Sequence, residues 1–106
     1  MIYKVNARFK EQSAREFQRK LLDGTIASQE PDGREIVDSM NRAVVKESGE
    51  IEWSEQCYCK SPLAHERQTV LDYHFEDIST DVIDRYQESD GRSFMDYLAE
   101  LAAASK

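Results

Sequence analysis

Cys57, Cys59, His65 and His74 are the side chains with the most chemistry to offer, because thiols and imidazoles together are the donor set of a zinc site. Their spacing argues against that use. Ligand pairs in structural zinc sites are usually held apart by two to four residues, whereas a single residue separates Cys57 from Cys59. If 63–75 is helical, His65 and His74 stand nine positions apart, about 900° of rotation, and face opposite ways. No metal and no other cofactor is therefore expected, and the two thiols read as small buried hydrophobes. An i, i+2 pair on an extended segment is also poorly placed to close a disulfide. Cys57 or Cys59 with His65 is the one nucleophile-and-base combination to consider. His74 lies on a stripe with Leu63, Val70 and Leu71, which makes it either a packed core histidine or a proton-transfer group with a displaced pKa.

The remaining candidates are polar. His65, Glu66 and Arg67 together could hold an acidic ligand, the plainer reading being a weak surface pair between Glu66 and Arg67. Lys4, Asn6, Arg8 and Lys10 alternate along one strand and could oppose Glu52, Ser54, Gln56 and Tyr58 on another. Asn6, Arg8 and Tyr58 would then line a ligand cavity on the polar face of a sheet, unless the charges simply pair across strands. Asp77, Asp81 and Asp84 lack the alternate spacing and the glycine of a calcium loop and read as a solvated face. Arg15, Arg19 and Lys20 read as the outward side of a helix, or as a contact for that acidic run on another chain. A glycine-rich phosphate loop, a G-x-S-x-G elbow, an H-E-x-x-H helix and a dinucleotide fingerprint are all missing from the sequence.

The elements that must position these residues are marked by glycines, each following a turn-forming residue: Asp23-Gly24, Asp32-Gly33, Ser48-Gly49 and Asp90-Gly91. Tyr3, Val5, Ala7 and Phe9 alternate with polar residues as a half-buried strand does. Ser13 and Glu16 have capping-box spacing, and Ala14, Phe17 and Leu21 follow at helical steps to Gly24, so a helix is expected over about 13–23. Ile36, Val37 and Met40 suggest a short helix after a Pro31-Asp32-Gly33 turn. Ala43 and Val45 before Ser48-Gly49, with Ile51, Trp53, Cys57 and Cys59 after it, read as a hairpin in which Glu55 is the one breach of the apolar pattern. Ser61-Pro62 opens a helix through Leu63 to His74, with a strand at 68–76 as the rival. Residues 76–87 fit a strand or a short helix, and Ser93 caps a last helix carrying Phe94, Leu98, Leu101 and Ala102.

This order resembles a ferredoxin-like layout: an α+β domain over 1–106 with a small antiparallel sheet and helices on one face. A β-meander with a strand at 68–76 and C-terminal helices is the alternative. The resemblance implies that the sheet could pair with a second copy and hold a ligand between subunits, but it lends no activity. Leu, Ile, Val and Phe number 22 of 106 residues, a thin apolar inventory for so small a domain, and a homodimer is expected on that ground. The net charge of -7 opposes the phosphate contacts that nucleic acid or an anionic membrane would need. The acid is concentrated in residues 54–106, with 11 acidic and 5 basic groups against 10 and 9 in the first half. There is no apolar run of membrane-span length and no secretory leader at the start, so a cytoplasmic protein is expected. Two functions fit: a homodimeric module that binds a small molecule or a protein, and, as the alternative, a small cofactor-independent enzyme.

Overall fold

The computed structural model describes residues 1–104. Strand β1 (Ile2–Phe9) leads through a 3-10 turn to helix α1 (Ala14–Leu22), and a loop to α2 (Gly33–Arg42). Strands β2 (Val44–Val45) and β3 (Ile51–Gln56) form the hairpin. A helical run over 64–74, here α3, leads to β4 (Phe75–Ile83), and a short β5 (Arg92–Ser93) precedes α4 (Phe94–Ala104). The sheet order is β4-β1-β3-β2-β5, antiparallel throughout. The α+β class with an antiparallel sheet is as expected. No helix is long and apolar enough to cross a membrane, among the described residues.

Alternation in β1 does what it promised: Tyr3, Val5, Ala7 and Phe9 are buried, and the register sets Val5 opposite Trp53. These side chains share one core with Phe17 and Leu21 of α1, Ile36 and Met40 of α2, Leu71 of α3 and Phe94 and Leu98 of α4. Its centre is aromatic. Phe9 meets Phe94 and Phe75 edge-on at 5.3 and 5.4 Å between centroids, and Trp53 lies 5.1 Å from Phe75, pairs worth about 0.5–1.5 kcal/mol each beyond area burial. On the other face of the sheet Lys4 and Lys46 reach Glu52 at 3.7 and 3.8 Å, and Arg8 lies 3.9 Å from Asp77. Ion pairs between neighbouring segments thus occupy part of this polar face.

Three local expectations are corrected. Ser13 makes no side-chain cap; its hydroxyl donates to the Lys10 carbonyl at 2.8 Å, and α1 begins one residue later. Helix α2 is longer than expected and starts at Gly33, where any Cβ would run into the Ile26 carbonyl oxygen, so only glycine lets the preceding loop close there. The strand alternative at 68–76 fails because it would bury Tyr73, which is 64% exposed; Glu66, Val70, Leu71 and His74 of the helical run are buried instead, and that run opens at Ala64 after a left-handed Leu63, not at Ser61-Pro62. Within that run Arg67–Leu71 is π-helical.

Strand β4 forms one end of the sheet, with Glu76, Asp77 and Asp81 exposed along it. Its pairing with β1 slips between Asn6 and Arg8, next to Asp77 at φ 53°, a β-bulge.

Candidate functional site

Strand β3 outruns its neighbour. Val44 and Val45 pair only with Glu52 and Ile51, so the backbone from Ser54 onward needs other partners on that side. Helix α2 supplies them: Arg42 donates to the Ser54 carbonyl at 2.8 Å, and Glu35 Oε2 accepts the Gln56 N–H at 2.8 Å. Glu35 is held in turn by Arg42 at 3.3 Å and by the Tyr86 hydroxyl at 2.7 Å. Beyond Gln56 the chain leaves the strand, so Cys57 and Cys59 do not share a strand face as expected. It bends instead, and the Cys59 N–H donates to Cys57 Sγ at 3.2 Å.

This bend, the start of α2 and the start of α3 enclose a cavity of about 310 Å³ lined by Asp32, Glu35, Cys57, Tyr58, His65 and Glu66, with Cys59 at its wall. Both sulfurs lie 3.6 Å from the same oxygen, Glu66 Oε2. His65 Nδ1 is 2.8 Å from Asp32 Oδ2, which fixes the ring and leaves Nε2 uncommitted to that contact. Tyr58 is 86% exposed and its hydroxyl is met by the Gln56 side-chain amide.

The carboxyl groups gathered here are unusual in their burial. Glu66 is almost fully buried, and burial raises its pKa, with Asp32 adding repulsion. Glu55 is completely buried, and desolvation holds its pKa at about 8 despite the Trp53 indole, which donates to Oε1 at 2.8 Å; Glu66, Glu35 and Asp32 push in the same direction as burial. Burial likewise pushes the Cys57 thiol up to about 12, away from the thiolate a nucleophile needs. Among the described residues, the buried side-chain atoms left without a hydrogen-bond partner are Gln29 Oε1, Asp32 Oδ1 and Glu55 Oε2. The first two are acceptors; Glu55 keeps its proton up to about pH 8.

Of the residues singled out in the sequence, Cys57, Cys59, His65 and Tyr58 come together. The others do not. His74 is buried against Phe17, ring centroids 4.4 Å apart, with Nδ1 2.9 Å from the Ser13 hydroxyl; burial, then the nearby Lys20, lowers its pKa to about 4. It is a packed core histidine. Arg67 turns to Asp72 at 3.0 Å and does not line the cavity. Asn6 and Arg8 belong to the polar face of the sheet, Lys20 pairs with Glu16 within α1, and Arg19 pairs with Asp23 just past its end. The missed members are Asp32, Glu35 and Glu66, and the buried Glu55, which does not line the cavity, was missed with them. Two carried a signal: Glu55 breaks the apolar alternation of β3, and Glu66 falls on the Leu63, Val70 stripe, where a carboxyl is out of place. Comparison with protein-family models, with curated proteins and with solved structures gives no match.

Proposed function

We propose that the chain is a binding module whose site is the cavity between β3, α2 and α3, and whose ligand is a small cation. The observation that carries this is the orphaned acceptor at the cavity wall: Asp32 Oδ1 is buried without a donor, beside the carboxyl groups of Glu35 and Glu66. Buried acceptors left unpaired cost about 1–3 kcal/mol each, a cost that a donor-bearing, positively charged ligand removes. The cavity is large enough for a ligand of modest size.

The test is an NMR titration followed at the Trp53 indole N–H, which reports on Glu55, and at the His65 ring. Guanidinium, ethylenediammonium and divalent metal cations are the positive probes, acetate and succinate the negative ones. Saturable shifts from at least one cation and none from the anions are expected. Shifts from the anions alone, or from no probe, overturn the reading.

The catalytic alternative draws on the same cavity, because Asp32 holds His65 as an orienting carboxylate holds a base. Cys59 alkylation near neutral pH no faster than a free thiol removes it. The homodimer also belongs to this reading, supported by Leu22 and Tyr73, which stand in solvent; sedimentation that returns a monomer at high concentration removes that part. Two free thiols at a binding site suit a reducing, cytoplasmic compartment.

A further inference from the structure

Cys57 Sγ, Cys59 Sγ and a carboxylate oxygen of Glu66 all lie within 4.8 Å of one another. Neither sulfur is tied up in a disulfide. The sulfurs stand 3.6 Å from Glu66 Oε2. In a tetrahedral zinc site, with Zn–S of about 2.3 Å and Zn–O of about 2.0–2.2 Å, the sulfur-to-oxygen edge comes to about 3.5–3.7 Å. Both sulfur-to-oxygen edges thus already have the length they take in such a tetrahedron, and the sulfurs lie within 4.8 Å of each other. We infer that Cys57, Cys59 and Glu66 bind a single thiophilic divalent cation, Zn2+ in the first instance, with the fourth position open to the cavity.

Two features support the assignment beyond that spacing. Among the described residues the side chains meeting Glu66 Oε2 are the two thiols, and S–H is a weak donor for a carboxyl so deeply buried. The backbone N–H of Cys59 already points at Cys57 Sγ, the contact that stabilises a thiolate once a metal has formed it. His65, next in sequence to Glu66, lines the same cavity with Nδ1 engaged by Asp32, but it stands outside the three-donor group, so water from the cavity is the available fourth ligand. Thiolate donors select zinc over magnesium or calcium. The exchange balances: hydrated Zn2+ loses waters to two thiolates and one carboxylate, and both thiol protons pass to solvent.

This inference rests on the cavity being the cation site, and its test separates the two. Protein stripped with a chelator and kept reduced is titrated with Zn2+ by calorimetry in buffers of different protonation enthalpy, and in parallel with Co2+, whose thiolate charge-transfer absorption reports sulfur ligation. One ion per chain, release of protons from both thiols, the charge-transfer band and protection of both cysteines from maleimide are expected. Cys59→Ser, at the less buried position, should weaken Zn2+ by about tenfold or more and reduce the band. Glu66→Gln should weaken Zn2+ while leaving both thiols reactive, and an Asp81→Asn change on the far strand should do nothing. Zn2+ binding without proton release, or unchanged in Cys59→Ser, overturns the metal assignment. If Zn2+ fails while an organic cation still moves the Trp53 indole signal, only the metal assignment falls; if neither binds, the cation site falls with it.

Discussion

The Trp53 indole N–H donates to Glu55 Oε1 at 2.8 Å from two residues away on the same strand, and it is the one hydrogen bond the fully buried Glu55 carboxyl receives among the described residues. The bond explains how a carboxyl survives in this core, and it does not cancel the cost of burial: the folded pKa sits at about 8 against 4.5.

A pH dependence follows. Between 4.5 and about 8 the unfolded chain loses the Glu55 proton while the folded chain keeps it, so stability falls as pH rises, by up to about 1.4 kcal/mol per pH unit, and levels off above the folded value. Glu55→Gln retains an acceptor for Trp53 and should flatten this slope. Urea unfolding with chelator present, at several pH values from about 6.5 to about 8, checks it; parallel slopes for the two proteins contradict it.

His74 works in the opposite direction. Its folded pKa of about 4 lies below the unfolded 6.5, so its neutral form supports the fold fully above 6.5 and stability is lost as pH falls from there toward the folded value. His74→Phe keeps the stack on Phe17 and should remove the acid-side loss. An NMR titration in which the folded His74 ring protonates with a midpoint near that of a free histidine contradicts the assignment.

Phe75 touches Phe9, Phe17, Trp53 and Phe94. Phe75→Ala should cost about 3–5 kcal/mol, a large share of what a domain of this size has. Chemical denaturation measures it, and a loss below about 1 kcal/mol would mean the cluster can collapse around the gap.

Gly33 carries the loop that delivers Asp32. Gly33→Ala drives a methyl group into the Ile26 carbonyl, and overpacking of this kind costs about 1–3 kcal/mol. A lowered melting temperature together with a shifted His65 ring signal, since Asp32 holds that ring, is the expected pair of readouts.

Much of the scaffold was legible because periodicity reports burial. Strand β1, α1 and α4 appear where Tyr3-Val5-Ala7-Phe9, Ala14-Phe17-Leu21 and Phe94-Leu98-Ala102 put them, and Ser93 does accept the Asp96 N–H at 3.3 Å as the cap it resembles. Ser13 misled because its hydroxyl is engaged by the Lys10 carbonyl and by His74 Nδ1, the second a tertiary contact that local spacing cannot carry. The site was half legible. Cys57, Cys59 and His65 were chosen for their chemistry, but the residues that give them meaning are carboxyls brought in from 32, 35 and 66 by packing of α2 and α3 on β3. Glu55 and Glu66 announced themselves only as polar residues in apolar positions, and such a breach marks a place without naming its purpose.

The acidic rim of β4 bears on how the protein behaves when crowded. A nine-residue end strand with Ile78, Val82 and Ile83 along it is a natural template for runaway strand addition and fibre growth. Glu76, Asp77 and Asp81, with the bulge at Asp77, make each approaching copy bring its own carboxylates against these. Repulsion of that kind keeps the rim a dead end for fibrils and steers any self-association to other surfaces.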